Sequence, residues 1–389
     1  MSSLIEILNK RIDSIDPQAY GKYRNFIDGP VTQLSPYISR GVISTRYVLE
    51  SLKAKGYSWN QLERLAQQLS WRDYFQRVYQ HHPHLAANNV KNNPQHFVSN
   101  DIPKAISQGK TGILAIDQGI KTLLSEGVMH NHMRMYVAML TTNIARTHWK
   151  SGADWMYYHL LDADIAANYL SWQWVCGAFS SKQYFANQEN INRYTKLQQT
   201  NTFLDCEYEE FAEMEVPEIF MNRELWVSGD ENSENNLPET IQLKMENLNN
   251  GMELSTWIQK LKNLSQEEHL PVYTVYNMDV QWYNHPNLPK VLLLDSDLLK
   301  KHPMSSKTLN FILDLSREFS NMVCYYGNWE ELQQWLNTIH PKVNCVYKEH
   351  PSSKHYQGKK EERDWIAPQI TKYFPSFFGY WKAYEKLKN

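Results

Sequence analysis

Cysteine is scarce in this chain. Its four cysteines, Cys176, Cys206, Cys324 and Cys345, are scattered through 389 residues. They form no Cys-x-x-Cys pair and have no companion histidine spacing, which argues against a disulfide framework or a zinc finger. No metal is expected, and a reducing cytosol suits such a composition. Long apolar runs are also missing: no stretch reaches the roughly 20 residues that span a bilayer. Residues 1–12 form an amphipathic start with Glu6, Lys10 and Arg11 rather than a basic flank and an apolar core. A soluble, cytoplasmic protein is the expectation. Net charge is nearly absent at -2, yet it is unevenly distributed: residues 1–200 hold 21 Lys and Arg against 14 Asp and Glu, and the remainder holds 19 against 28. The first half is the plausible face for a polyanion, although ordinary solvated surfaces produce similar imbalances.

The length suits two domains, each large enough for its own core. Residues 1–216 read as helical: 59–80 and 112–125 carry apolar positions at three-to-four spacing, and 133–150 continues that period. Turn signals such as Asp28-Gly29-Pro30, His82-Pro83 and Gln108-Gly109 separate the helices. Residues 217–265 are expected to form a linker, rich in Asp, Glu and Asn from 228 to 255. Beyond it the pattern changes. Short runs at 271–276, 290–295, 321–326 and 343–348 are rich in Val, Leu, Tyr and Cys, with helical segments at 305–319 and 328–337. Strands alternating with helices predict a smaller parallel-sheet α/β domain at 266–389. No Gly-x-Gly-x-x-Gly follows these strands, so dinucleotide binding by that sheet is unsupported.

Aromatic residues are plentiful at 13% of the chain, and several fall within one informative stretch. Met129-His130-Asn131-His132-Met133-Arg134-Met135 is followed by Trp149 and then by Asp162-Ala163-Asp164-Ile165-Ala166-Ala167-Asn168-Tyr169-Leu170-Ser171-Trp172-Gln173-Trp174. This pattern resembles the flavin-binding helical domain of the DNA photolyase/cryptochrome family almost residue for residue. The fold expected is therefore multidomain α and α/β: an all-helical photolyase-type FAD-binding domain followed by the parallel-sheet domain. The C-terminal piece, with Val291-Leu292-Leu293-Leu294-Asp295, Cys324-Tyr325-Tyr326-Gly327-Asn328-Trp329 and Val346-Tyr347-Lys348-Glu349-His350, resembles the later strands of the family's α/β antenna domain, here at the opposite end of the chain. An unrelated α/β module is the alternative.

The resemblance implies FAD as cofactor, with any second antenna chromophore unknown. Carboxylates at i and i+2 do not share a helix face, so Asp162 and Asp164 should sit at an irregular helix end. There one can pair with Arg134 and the other accept from a flavin nitrogen. The resemblance places Asn168 near the flavin N5 and Asn131 in the same pocket. Thr32-Gln33-Leu34-Ser35 is similar to the family's pyrophosphate segment, which nominates Thr32, Leu34 and Ser35, with Tyr20 preceding them. The structural alternatives are a helix cap for Asp162 and a buried ion pair with Arg134, and simple capping for Thr32 and Ser35.

Trp71 and Trp174 match the two tryptophans that flank a pyrimidine dimer in photolyases, Met135 a lesion-contacting methionine and Arg72 a neighbouring arginine. A dimer inside a duplex must be flipped out to reach the flavin, and stacking contributes roughly 1 to 3 kcal/mol per base. Taken alone, Trp71 reads equally as a core aromatic. Members acting on the (6-4) photoproduct carry histidines where this chain has Asn131 and Met135, so the cyclobutane dimer is the implied substrate. Trp172 and Trp149 keep the spacing of the family's electron relay. Three departures stand out. Gln68 replaces a glutamate that hydrogen-bonds the lesion, His96-Phe97 replaces the outer relay Trp, and Val128 and Asn143-Ile144 alter the pocket edge. Light-driven repair of dimer-containing DNA is the leading expectation. A cryptochrome-like blue-light photoreceptor without repair is the alternative, with an FAD-free nucleic-acid-binding scaffold behind both.

Overall fold

The structure, a computed structural model, describes residues 3–226, 253–265 and 267–387. The chain divides into two units, each assembled from separated stretches: Met1–Ser14, Gln33–Lys55 and Asp230–Pro368 form one, and Ile15–Thr32, Gly56–Gly229 and Gln369–Asn389 the other. This interleaving departs from the contiguous blocks 1–216 and 266–389 expected from composition. The middle of the expected linker, 217–265, lies outside the described residues, but its flanks are structured. Arg223–Glu224 pairs antiparallel with Ile102–Pro103, and Leu254–Lys262 is a helix whose Trp257 and Leu261 join a hydrophobic core. Composition hid these flanks because each is only a few residues long.

The α/β unit is built on five parallel strands: β1 (His269–Thr274), β2 (Lys290–Asp295), β3 (Met322–Gly327), β4 (Asn344–Lys348) and β5 (Lys359–Glu361). Their order is β3-β2-β1-β4-β5, with Val272 opposite Val291, Val291 opposite Val323 and Leu270 opposite Cys345. The central strands are buried on both faces, which accounts for their continuous apolar runs. β5 was missed in the sequence because Lys359-Lys360-Glu361 is charged, as edge strands often are. The strand order reverses between β1 and β4, where sheets of this kind take ligands. There Tyr276 stacks on His350 (4.2 Å, 13°) and Arg40 lies over Tyr276 (5.6 Å). Gly41, at φ +65°, lets the Tyr276 carbonyl approach its backbone, and the Met278 amide donates to the Arg40 carbonyl (2.8 Å). These contacts explain why residues 33–55 group with the sheet.

The helical unit contains α1 (Trp59–His81), α2 (Leu114–Glu126), α3 (Asn131–Met139), α4 (Trp149–His159), α5 (Ile165–Val175) and α6 (Phe377–Lys386). A capping box between Ser58 and Gln61 starts α1, which buries Leu62, Leu65, Ala66, Leu69, Tyr74 and Val78. Gly127 ends α2 in the left-handed conformation at φ +75°.

The single helix expected over 133–150 is broken. α3 runs into a π-helical turn, Leu140–Ile144, and then into Arg146 at φ +54°. Polar residues drive the break: Thr141 and Thr142 donate to the carbonyls of Val137 and Ala138, while the Asn143 amide is turned to the carbonyls of Val175 (3.1 Å) and Tyr184 (2.8 Å).

α4 and α5 pack face to face through Gly152, whose missing side chain makes room for the Trp172 indole. A methyl group there would overlap the ring. Gly152→Ala is therefore expected to lower stability by about 1–3 kcal/mol, read as a fall in the thermal midpoint with the helical content retained at low temperature.

Candidate flavin site in the helical unit

The irregular loop between α4 and α5 carries both carboxylates, as their spacing requires. Arg134 Nη2 donates to Asp162 Oδ1 (2.8 Å) and Oδ2 (3.0 Å), and its Nε donates to the Met129 carbonyl (3.0 Å). Asp162 is buried, and a second cation, Arg72, stands 3.9 Å from it. Asp164 has a different task. As the N-cap of α5 it accepts from the Ala167 amide (2.6 Å), and its other oxygen accepts from Gln76 Nε2 (2.6 Å). The capping role therefore falls to Asp164 and the ion pair to Asp162.

Gln76 was not singled out in the sequence, although a signal was present. Gln68, Arg72 and Gln76 recur every fourth residue on α1 and make a polar stripe along a helix that is otherwise heavily buried. Gln76 Oε1 is buried and accepts no hydrogen bond. Such an orphan calls for a donor from outside the protein. Asp164 adds a second acceptor beside it, because each carboxylate oxygen can take more than one hydrogen bond.

The remaining expected residues fall into three groups. Asn168 is buried, and its Nδ2 donates to the Ala153 carbonyl (2.8 Å), tying α5 to α4. Tyr20 is half-buried near Arg24, whose guanidinium lies 6.0 Å from its ring centroid; burial raises its phenol pKa, opposed by Arg24 and Arg72. Asn131 opens α3 and is exposed, and Met135 follows Arg134 on the same helix, half-buried. Thr32 belongs to the helical unit, whereas Leu34 and Ser35 belong to the α/β unit, where Leu34 is buried and Ser35 begins a five-residue helix without a side-chain cap.

Of the residues expected at a lesion, Arg72 has its Nη2 3.9 Å from Asp162 Oδ2. Trp71 lies against Phe377 of α6, with ring centroids 3.8 Å apart and planes 11° from parallel. Trp174, on α5, is 37% exposed beside Tyr184 (5.9 Å). Gln68 sits one turn before Trp71 on α1 and is half-buried.

Of the relay residues, Trp172 and Trp149 are both buried. Trp149 Nε1 donates to Asn89 Oδ1 (2.7 Å), and its ring neighbours His148 (5.3 Å), which in turn meets Phe97 (5.0 Å). Rings thus continue outward where the outer Trp is missing. Trp149 also meets Tyr169 edge-on at 6.3 Å, and the Tyr169 hydroxyl donates to Asp154 (2.7 Å).

Among the described residues no group of His, Cys, Asp and Glu is placed to hold a metal, and no helix is long and apolar enough to cross a membrane. A helical unit with a buried Arg–carboxylate pair, a capped second carboxylate and an orphaned amide acceptor is a fitting receptacle for a flavin. Residues 65–241 match the FAD binding domain of DNA photolyase. A deoxyribodipyrimidine photo-lyase of Agrobacterium fabrum is 32% identical over 179 residues, 44% of this chain and 37% of that protein. A cryptochrome DASH of Danio rerio is 30% identical over 178 residues, 42% and 33% of the two chains. A Synechocystis cryptochrome structure aligns over 49% of this chain and 42% of its own at 22% identity and TM-score 0.44. The chain spans less than half the length of each. Across residues 65–241 the chain is therefore similar to the FAD-binding domain of photolyases and cryptochromes, and FAD is the cofactor that this match supports.

Two predictions follow from this geometry. Gln76→Leu keeps the volume of the side chain but removes both its donor and its orphaned acceptor, and Arg134→Ala removes the guanidinium that meets both oxygens of buried Asp162. Each is expected to lower FAD content in the purified protein, read by absorbance against protein concentration, while far-ultraviolet circular dichroism stays native.

The second concerns acid. His132, stacked on Tyr194 (4.5 Å), is held down to about 4 by burial, with His130 and Arg24 adding to the effect. Its folded pKa lies below its unfolded value near 6.5, so the unfolded chain binds more protons. The stabilisation is present above about pH 6.5 and is lost as pH falls toward 4, by on the order of 1–3 kcal/mol. Half-buried His130 shifts in the same direction, again by desolvation. In His132→Phe the slope of unfolding free energy against pH over that window should be smaller.

Proposed function

We propose that the protein uses FAD to repair cyclobutane pyrimidine dimers in DNA under blue light. The observation that carries this reading is the arrangement of α1. One helix presents Gln76 to the Asp164 carboxylate, Arg72 to Asp162, and Trp71 one residue further round. The flavin-holding residues and the aromatic suited to a flipped base are thereby fixed on one rigid element.

The division of labour is as follows. Arg134, Asp162, Asp164, Gln76 and Asn168 hold the cofactor, with Tyr20 and Thr32 contributing from the same unit. When bound, FAD supplies the light-driven electron that opens the cyclobutane ring and receives it back. Trp71 and Trp174 offer π-faces to the extruded bases, Met135 packs beside them, and Gln68 donates its amide N–H to a base carbonyl. The Gln68 side chain has no acidic proton to give, so a dimer gaining negative charge there is stabilised by a neutral donor alone. Trp172 and Trp149 form the buried part of an electron path toward His148 and Phe97. Two observations favour a second reading, a blue-light receptor that keeps FAD without repair: Gln68 in place of the family's glutamate, and the contact between Trp71 and Phe377.

The test is illumination of the purified protein with oligothymidine carrying a cyclobutane dimer, followed by chromatography of the products. Repair is expected in the parent. Gln68→Glu, whose carboxyl can supply a proton if the pocket keeps it neutral, should raise the yield per photon more than it raises affinity. Photoreduction without loss of dimer in both proteins would favour the receptor.

A further inference from the structure

α6 and the segment before it lie along α1 from end to end. Near the start of α1, Trp59 stacks on Trp381 (6.0 Å, 20°) and meets Tyr384 edge-on (6.3 Å, 78°). At its far end His81 stacks on Tyr373 (4.2 Å, 6°). Between them Tyr74 meets both Tyr380 (5.7 Å) and Phe377 (5.8 Å). The tightest of these contacts falls on Trp71, whose ring is 3.8 Å from that of Phe377 and nearly parallel to it. Tyr74 (5.7 Å, 76°) and Phe75 (5.1 Å, 51°) also crowd the same indole.

Separation and tilt of the Trp71–Phe377 pair are those of a base stacked on an aromatic platform. The two residues have unequal anchorage. Trp71 belongs to the interior of a 23-residue helix, whereas Phe377 is the first residue of α6, preceded by residues 370–376, which form neither helix nor strand. The later turns of α6 are held on Trp59 by Trp381 and Tyr384. Phe377 itself is buried and also touches Tyr74 and Trp381, so moving it gives up those contacts and the one with Trp71 but none of those that Trp381 and Tyr384 make with Trp59.

We propose that Phe377 is an internal stand-in for a nucleobase: it covers one face of Trp71 in the free protein and must be displaced before an extruded base can stack there. This inference rests on the reading of Trp71 as part of the lesion site. It makes Phe377 the residue that sets how much free energy an extruded base must bring to the stack. A base still stacked in its duplex must first be unstacked, at a cost that is least for damaged or mismatched bases. A competitor already seated on Trp71 raises the threshold for every base alike, so that the readily extruded dimer passes and ordinary bases do not.

The experiment measures binding of a fluorescent oligothymidine carrying one cyclobutane dimer, and of the undamaged oligomer, by anisotropy in the dark. Phe377→Leu keeps apolar volume and loses the stack. It should tighten dimer binding about 2- to 10-fold, the equivalent of one aromatic pair, and change binding of the undamaged oligomer, which is held mostly through its phosphates, much less. Trp71→Ala should weaken dimer binding about 5-fold or more, and adding Phe377→Leu to it should then give no gain. If Trp71→Ala weakens binding but Phe377→Leu leaves it unchanged or weaker, bases use another face of Trp71 and the stand-in role is overturned while the lesion site survives. If neither change affects dimer binding, the lesion site fails and the inference with it.

A measurement on the unaltered protein covers the case in which Phe377→Leu does not fold. Amide hydrogen exchange across 370–380 should speed up on adding the dimer oligomer and not on adding the undamaged one. Unchanged exchange at saturating dimer would overturn the proposal.

Discussion

The helical unit turns on a buried carboxylate that cannot stand alone. Asp162 sits in a loop between two helices, away from water, and an unpaired charge there would cost several kcal/mol. Arg134 meets both of its oxygens, and the same guanidinium is tethered to the Met129 carbonyl at the entrance to α3. One ion pair thus fixes the register of α3 against the loop that launches α5. Two residues later Asp164 starts α5 and reaches across to Gln76 on α1. Three helices are pinned by two side chains of one short loop, and their relative placement is what a rigid planar ligand needs.

Polar satisfaction around this loop is nearly complete, and the exception is informative. Asp164 and Asn168 each find partners within the protein, whereas Gln76 keeps an acceptor buried with nothing to receive. That acceptor suits a group with an N–H or O–H to offer. The pyrimidine edge of a flavin has that character.

Much of this was legible in the sequence because the relevant residues are close together along it. The loop position of the two carboxylates and β2 at 290–295 follow from local spacing or a short apolar run, and the pairing of Arg134 with Asp162 from the resemblance that their motifs carry. Less local features were hidden. Gln76 was overlooked because a glutamine in the middle of a long helix looks like solvated surface, and only the four-residue recurrence of Gln68, Arg72 and Gln76 marks it. The break after Leu140 escaped notice because Thr and Asn residues carry no strong helix-ending signal; it depends on Asn143 finding carbonyls at Val175 and Tyr184. The partner of Trp71 could not be read at all, since no spacing rule connects position 71 to position 377. The same holds for the grouping of residues 33–55 with a sheet that begins at His269.

The interleaved units change what a domain means in this chain. Cutting at the compositional boundary would strip α6 from the helices it covers, exposing Trp59, Trp71, Tyr74 and His81 together, and would remove Arg40 and Gly41 from the sheet they brace. A fragment ending near residue 216 is then not a smaller version of the flavin-binding unit but an incompletely covered one, with a row of aromatic rings open to aggregation. Synthesis imposes the same order: α1 is made long before α6, so its aromatic face must wait for the strands of the sheet to be translated before its own cover arrives. Such long-range closure slows folding, and it makes the helical unit a late product of the chain rather than an early one.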